Sequence, residues 1–256
     1  MTALRLSRGP EVSGQAPRRG LVPARVDSLI AMDLVQVSDA FAAECAALGR
    51  GLGEIAEVDW DRPTRCDPWS VRELLGHVCV VLGWVPGMLA AETPEQAEIS
   101  AAEYYRPDHR FNAATNANRI DLGRKRVHDV PVGSLAAEFA DVWRDVEARC
   151  RREPADRVVR TRHGDAMLLT GFLLTRVVEV AVHGLDLADA VEREPWLTRP
   201  AADLVLGLLI GDGAARADGL GWSRARLLRK ATGREPLSAE ESDQLNELGI
   251  QWLALG

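Results

Sequence analysis

The stretch MLLTGFLLTRVVEVAVHGLDLADAV, residues 167–191, decides how the rest of the chain is read. It is apolar almost all round, which predicts a central, buried helix. Arg176, Glu179, His183 and Asp186 interrupt it at intervals of three, four and three. Side chains three or four residues apart share a helix face, so these four form one polar stripe. A buried carboxylate on that stripe needs a cation or a proton, because an uncompensated buried ion costs several kcal/mol. Arg176 can supply the counter-charge by itself, and a buried Arg–Glu pair beside a hydrogen-bonded histidine is the purely structural reading.

Outward from this helix, the chain reads as further helices. Leu34, Val37, Phe41, Cys45, Leu48 and Leu52 recur at helical spacing within residues 28–55. The Pro-containing link DWDRPTRCDPW leads into SVRELLGHVCVVLGWV, where Ser70 and Glu73 make a capping-box pattern and Trp69 with Leu74 a hydrophobic staple. That helix should start at Ser70. Residues 94–111 lack any period and predict a loop with short helical pieces, followed by a helix over 112–128. Ser134 can cap SLAAEFADVWRDVEARC, whose seam is Leu135, Phe139, Val142, Val146 and Cys150. DRVVRTRHGDA predicts a connection with at most a short strand. Four principal helices and no strand series point to an all-α, up-down four-helix bundle with sites built from inward-facing side chains.

Residues 195–256 read as a short, mainly helical C-terminal appendage, with Ser238 and Glu241 repeating the capping box. The first 25 or so residues combine Pro, Gly and Arg without apolar period, so residues 1–27 are expected to be a disordered tail, and Met32 offers an alternative start. The bundle is then assigned to residues 28–194.

His77 completes a candidate site. It sits at the margin of the apolar stripe Val71, Leu74, Leu75, Val78, Leu82 and Val85, and a bundle can bring such a residue opposite Glu179 and His183. Two imidazoles and a carboxylate make a facial metal site with open positions, the donor set of many catalytic zinc sites. Taken alone, His77 reads better as a core-edge histidine bonded to a backbone carbonyl than as a ligand.

The 256-residue chain has a formal net charge of −7 and 46% apolar residues. Such a balance leaves no electrostatic footprint for nucleic acid, and small molecules are the expected partners. No apolar run approaches the roughly 20 residues of a membrane span and no secretory leader precedes the first helix, so a cytoplasmic protein is expected. Cys45, Cys66, Cys79 and Cys150 form no CxxC and should be reduced. Oligomeric state is left open, a homodimer being compatible with the chain. His109, His128 and His163 fall in polar contexts and are expected to be exposed. Asn112, Asn116 and Arg119 share a polar face that reads as solvated. A GxSxG elbow and a P-loop are both missing, which removes serine hydrolases and P-loop nucleotide enzymes. Lys125 and Lys230 are the only lysines among 31 basic residues. Such arginine-rich usage suggests a GC-rich genome and an actinobacterial source.

Two segments carry a resemblance. TRCDPWSVRELLGHV (64–78) resembles the entry to the second helix of DinB/YfiT-like bundles, in particular the actinobacterial branch that contains mycothiol-dependent maleylpyruvate isomerase. RVVEVAVHGLDL (176–187) is similar to that branch's RxxExxxHxxD segment, with Asp67-Pro68 standing where the branch usually has Pro-Gly before the tryptophan. LLRKATGRE (227–235) resembles part of the family's second domain, which is shorter here. The resemblance spans about residues 34–191 and implies a metal triad of His77, Glu179 and His183, with zinc as the expected divalent ion and mycothiol as cofactor. Cys66 has no metal duty in that pattern. The implied chemistry is delivery of a metal-held thiolate to a small electrophile, by S-transfer or by cis-trans isomerisation. Arg176 is then a candidate catalytic and cofactor-binding residue, able to fork a carboxylate, and Asp186 a candidate catalytic partner of His183. A thiol-independent metal hydrolase or cyclase, and a non-catalytic ligand-binding bundle, are the competing readings.

Overall fold

The computed structural model describes residues 33–106 and 112–253. The expected N-terminal tail and His109 lie outside the described residues. Among the described residues, ten α-helices and one small hairpin follow in the order α1 (Leu34–Leu52), α2 (Val71–Ala90), α3 (Ala101–Tyr104), α4 (Ala113–Val127), α5 (Leu135–Cys150), β1 (Val158–Arg160), β2 (Ala166–Leu168), α6 (Leu169–Ala190), α7 (Arg199–Ile210), α8 (Gly213–Ala217), α9 (Arg224–Ala231) and α10 (Ala239–Glu247). The fold is all-α: α1, α2, α5 and α6 make the bundle, with α1 and α2 each packed on both α5 and α6.

Spacing explains the elements. Val37, Phe41, Cys45, Leu48 and Leu52 turn one stripe of α1 inward, and all are essentially inaccessible. Phe139, Val146 and Cys150 do the same on α5. In α6 every residue but Gly171, Glu179, His183, Asp189 and Ala190 is buried, as an all-round apolar helix requires. Burying each large apolar side chain contributes about 1.5–3 kcal/mol, so these three helices account for much of the driving force.

The start of α2 follows its capping box, with the Ser70 amide donating to Glu73 Oε2 at 3.0 Å. Ser134, by contrast, makes no side-chain cap, because a 3-10 turn over Val132–Ser134 runs directly into α5 and leaves it in a helical conformation. The connection after α5 forms two short strands, Val158 pairing with Leu168 and Arg160 with Ala166. α2 is also a departure from the sequence reading: at 20 residues it is long and apolar enough to cross a membrane. Its apolar surface is instead taken up by α4, α5 and α6.

α4 crosses α2 at backbone contact. A Cβ on Gly76 would lie 2.3 Å from the Gly123 carbonyl oxygen, so only glycine lets the two helices approach this closely. One residue further on stands His77, whose backbone nitrogen and Cβ, with the Glu73 carbonyl oxygen, are the atoms a side chain at 123 would meet. α7 docks on α1 and α6, and α9 on α6 and α7.

Candidate metal centre

α6 presents Glu179 and His183 one turn apart, and α2 presents His77 across from them. His77 Nε2 and His183 Nε2 each lie 3.4 Å from the same oxygen, Glu179 Oε2. The ligand atoms of all three are within 4.8 Å of one another. A spacing of 3.4 Å is long for a charge-assisted N–H···O bond, which runs about 2.7–2.9 Å. It matches a shared ion better: metal–ligand distances of about 2.0–2.2 Å in a tetrahedron set neighbouring ligands about 3.3–3.6 Å apart. Two of the three ligand–ligand spacings therefore suit a divalent ion shared by the group.

The three groups polarise one another. Burial pushes the Glu179 carboxyl up, but the His183 and His77 imidazoles beside it and the charge of Arg176 hold it well below the usual carboxylate range. Burial dominates at His77 and lowers its pKa. The Trp69 ring covers it, stacked at 4.7 Å, and His183 meets it edge-on at 5.3 Å.

Asp186 fixes the other side of His183. Its Oδ2 lies 3.0 Å from His183 Nδ1 and accepts from the Cys66 thiol at 3.2 Å, while Arg234 Nε and Nη2 donate to its two oxygens at 2.8 and 2.7 Å. Burial opposes its ionisation, yet His183 and Arg234 hold its pKa below the ordinary value. An ionised carboxylate only accepts, so Nδ1 carries a proton and Nε2 is aimed at Glu179. Burial opposes a charge on His183, but Asp186, Cys66 and Glu179 together raise its pKa well above the usual imidazole value. A second proton on Nε2 and a metal cation thus compete for one position.

Cys66, His183 and Asp186 also converge closely enough to share an ion. The Arg234 guanidinium already engages both Asp186 oxygens, and Arg65 Nε stands 3.9 Å from Oδ1. Two positive charges at that point make it a poor cation site, and its geometry serves to orient His183.

Arg176 is only 1% exposed. It donates to the Val81 carbonyl at 3.2 Å and to Thr175 Oγ1, lies over the Phe172 ring, and stands 3.8 Å from Glu179 Oε1. It backs the carboxylate from within the core. Asn112 caps α4 by accepting from Thr115, and Asn116 accepts from Arg119 at 2.7 Å. His128 is exposed as expected, but His163 is half-buried with its ring against Tyr104, because the hairpin folds back over α3. All four cysteines are free thiols.

Arg234, Cys66 and Trp69 are site neighbours that spacing arguments did not reach. They come from loops, where no period signals orientation, and only the motif segments containing them gave a hint.

The model of the mycothiol maleylpyruvate isomerase N-terminal domain family matches residues 41–188, which run from within α1 to near the end of α6 and include all five stripe and triad positions. The chain belongs to that family. Among solved structures, the crystal structure of the mycothiol-dependent maleylpyruvate isomerase is similar at 15% identity, with a TM-score of 0.50 over 80% of this chain and 90% of that one. A histidine-to-alanine mutant of the mycothiol-dependent maleylpyruvate isomerase matches at 13% identity and a TM-score of 0.45, covering 61% of each chain. Comparison with curated proteins returned no match. At this identity the structural likeness speaks for the fold of this family member, and its site is argued from its own residues.

Proposed function

We propose that this chain binds a divalent metal ion, zinc being the expected one, through His77 Nε2, Glu179 Oε2 and His183 Nε2, and uses mycothiol to attack a small electrophile. The observation that carries the reading is the convergence of two imidazole nitrogens on one carboxylate oxygen, both at 3.4 Å. A bound divalent ion supplies a Lewis-acid position at which a thiol ionises to the nucleophilic thiolate.

The chain's own residues do the positioning. Asp186, held by Arg234, keeps the proton on His183 Nδ1 and directs Nε2 inward. Arg176 keeps Glu179 ionised from the core side. Its burial and its pairing support a positioning role over direct capture of a substrate or cofactor carboxylate. Trp69 shields one face of His77 from water. When bound, mycothiol would supply a nucleophilic sulfur for an electron-poor carbon, giving a thioether where the substrate carries a leaving group and permitting rotation about the former double bond where the substrate is conjugated. S-transfer is our first reading, and isomerisation is the second, favoured by the family to which the chain belongs. Residues 195–256 are proposed as an appendage to the bundle that contributes Arg234 to its site.

The test is metal content of the purified wild type beside His77→Ala and Glu179→Ala, followed by turnover of activated alkenes and leaving-group substrates with and without mycothiol. About one ion per chain in wild type, lost in both variants, supports the site. Equal, negligible metal in all three removes it, and turnover that is indifferent to thiol removes the cofactor.

A further inference from the structure

Away from the centre, one buried carboxylate has no cation to hold it. Glu44 lies on α1 at 2% exposure, and among the described residues no basic side chain stands within ion-pair distance of it. Its hydrogen bonds come from the connection between α6 and α7, where Oε2 accepts from the Thr198 amide at 2.8 Å and the Thr198 hydroxyl at 2.5 Å. Seven residues further along α1, on the same face, Gly51 receives the Trp196 ring so closely that a Cβ there would lie 2.2 Å from it. The chain thus enters α7 through two contacts on α1, an apolar one at Trp196 and an acidic one at Thr198. Thr198 also caps α7, its hydroxyl oxygen accepting from Ala201 N. α7 packs on α1, α6 and α9, and the turn after α9 carries Arg234 to Asp186.

Closing this joint strips water from a carboxylate and offers it no counter-charge, so the joint closes best with a proton on Glu44. The two Thr198 donors favour the ionised form, but burial outweighs them and raises the carboxyl to about 7. Neighbouring groups leave that sign unchanged. On α1 the adjacent Cys45 thiol is buried and is itself pushed up in part by Glu44. The charges of the packed elements are matched elsewhere: Arg149 with Asp145 on α5, Asp189 of α6 with Arg229, and Arg199 with Asp203 on α7. In the connection itself Glu192 pairs with Arg62.

We infer that Glu44 is a proton-controlled latch between the bundle and the C-terminal helices: protonated, it holds Thr198 and α7 against α1, and ionised, it favours a local opening in which α7 and α9 loosen from the bundle. Water then reaches the carboxylate without unfolding of the bundle. Because Arg234 follows α9, the latch also governs how firmly Asp186 is held. Only that last consequence rests on the proposed function, and the latch itself needs no bound ion.

The experiment is amide hydrogen exchange on the full-length protein, read by mass spectrometry for wild type and Glu44→Gln at pH 5 and pH 8 and corrected for intrinsic exchange. With the carboxyl at about 7 when closed and at its ordinary 4.5 when open, opening of wild type is favoured about 50–100-fold more at pH 8 than at pH 5. Segment 199–206 should lose protection by that factor in wild type, segment 224–236 should follow it, and both should keep their protection in Glu44→Gln. Low urea identifies the opening as local, because sensitivity to denaturant scales with the surface exposed: at pH 8 exchange in α7 should rise less steeply with urea than exchange in α5. Should Glu44→Gln fail to fold, the wild-type profile decides, since its protection should fall from pH 4.5 upward and level off above pH 7. Equal pH dependence in the two proteins, a flat wild-type profile, the same urea slope in α7 and α5, or loosening of 199–206 without 224–236 would each overturn the inference. Metal content of the same samples decides the metal reading separately, because the exchange comparison holds whether or not an ion is bound.

Discussion

Replacing Glu44 by glutamine should stabilise the protein at pH 8 and change it far less at pH 5. Glu44 lies on α1 at 2% exposure, and its Oε2 accepts from both the amide and the hydroxyl of Thr198, at 2.8 and 2.5 Å. Thr198 caps α7, its hydroxyl oxygen accepting from Ala201 N, so this contact ties the bundle to the C-terminal helices. Burial outweighs those hydrogen bonds and raises the carboxyl from its ordinary 4.5 to about 7. Below pH 4.5 folded and unfolded chains both hold the proton, and stability is unaffected. Between 4.5 and 7 the unfolded chain releases it while the folded chain keeps it, so stability falls as pH rises, by about 1.4 kcal/mol per pH unit. Above 7 the loss levels off at about 3 kcal/mol, an order-of-magnitude figure. Glutamine keeps an acceptor oxygen and cannot ionise. Urea unfolding at pH 5 and pH 8, with metal held constant, should show the stability difference between Glu44→Gln and wild type growing by about 2–3 kcal/mol toward the alkaline side. Parallel pH profiles for the two proteins would refute the reasoning, because every other titrating group cancels in the comparison.

Asp186→Asn should keep the bundle folded but weaken metal affinity about 10–100-fold, read by competition with a chromogenic chelator, because His183 loses the acceptor that sets its tautomer; unchanged affinity would remove Asp186 from the site. Cys66→Ser should leave metal content as in wild type, since the Arg234-bound cluster is not the ion's position; loss of the metal would reverse that assignment. Gly76→Ala should cost about 1–3 kcal/mol in thermal or urea unfolding, because the added Cβ meets the Gly123 carbonyl and backbone must move. A variant as stable as wild type would mean that α4 can slide without penalty.

Periodicity made the bundle legible, and its successes and failures have the same cause. Helix α6 could be read because side chains buried all round leave a continuous apolar run, and α2 because the Ser70–Glu73 pair marks its start within the local sequence. The meeting of His77 with Glu179 and His183 was anticipated because two of the three share one helix and the third borders an apolar stripe that must face inward. Arg234 is different: it sits 48 residues from Asp186 in a turn after α9, and only the packing of the appendage brings them together. Cys66 and Trp69 belong to a loop shaped by Thr64, which donates its hydroxyl to the Trp69 carbonyl at 2.8 Å and accepts from the Cys66 amide. Such a loop has no repeat to betray which way its side chains point. Ser134 shows the opposite error, a capping residue type whose place is taken by a preceding 3-10 turn. His163 was assigned by the polarity of its neighbours, which says nothing about a hairpin folding back on Tyr104.

The Arg234–Asp186 pair has a practical consequence for dissecting this protein. The segment matched by the family model ends at residue 188, and it invites excision as a minimal metal-binding module. A chain cut there would keep Asp186 next to His183 and lose the guanidinium that neutralises it, while Arg229 and Asp189, now joined by two hydrogen bonds, would both be gone. The apolar faces of α1 and α6 that α7 covers would be laid bare at the same stroke. The smallest useful fragment therefore runs past residue 234, and a shorter one that fails to take up metal would report the missing arginine before it reported anything about the ligands.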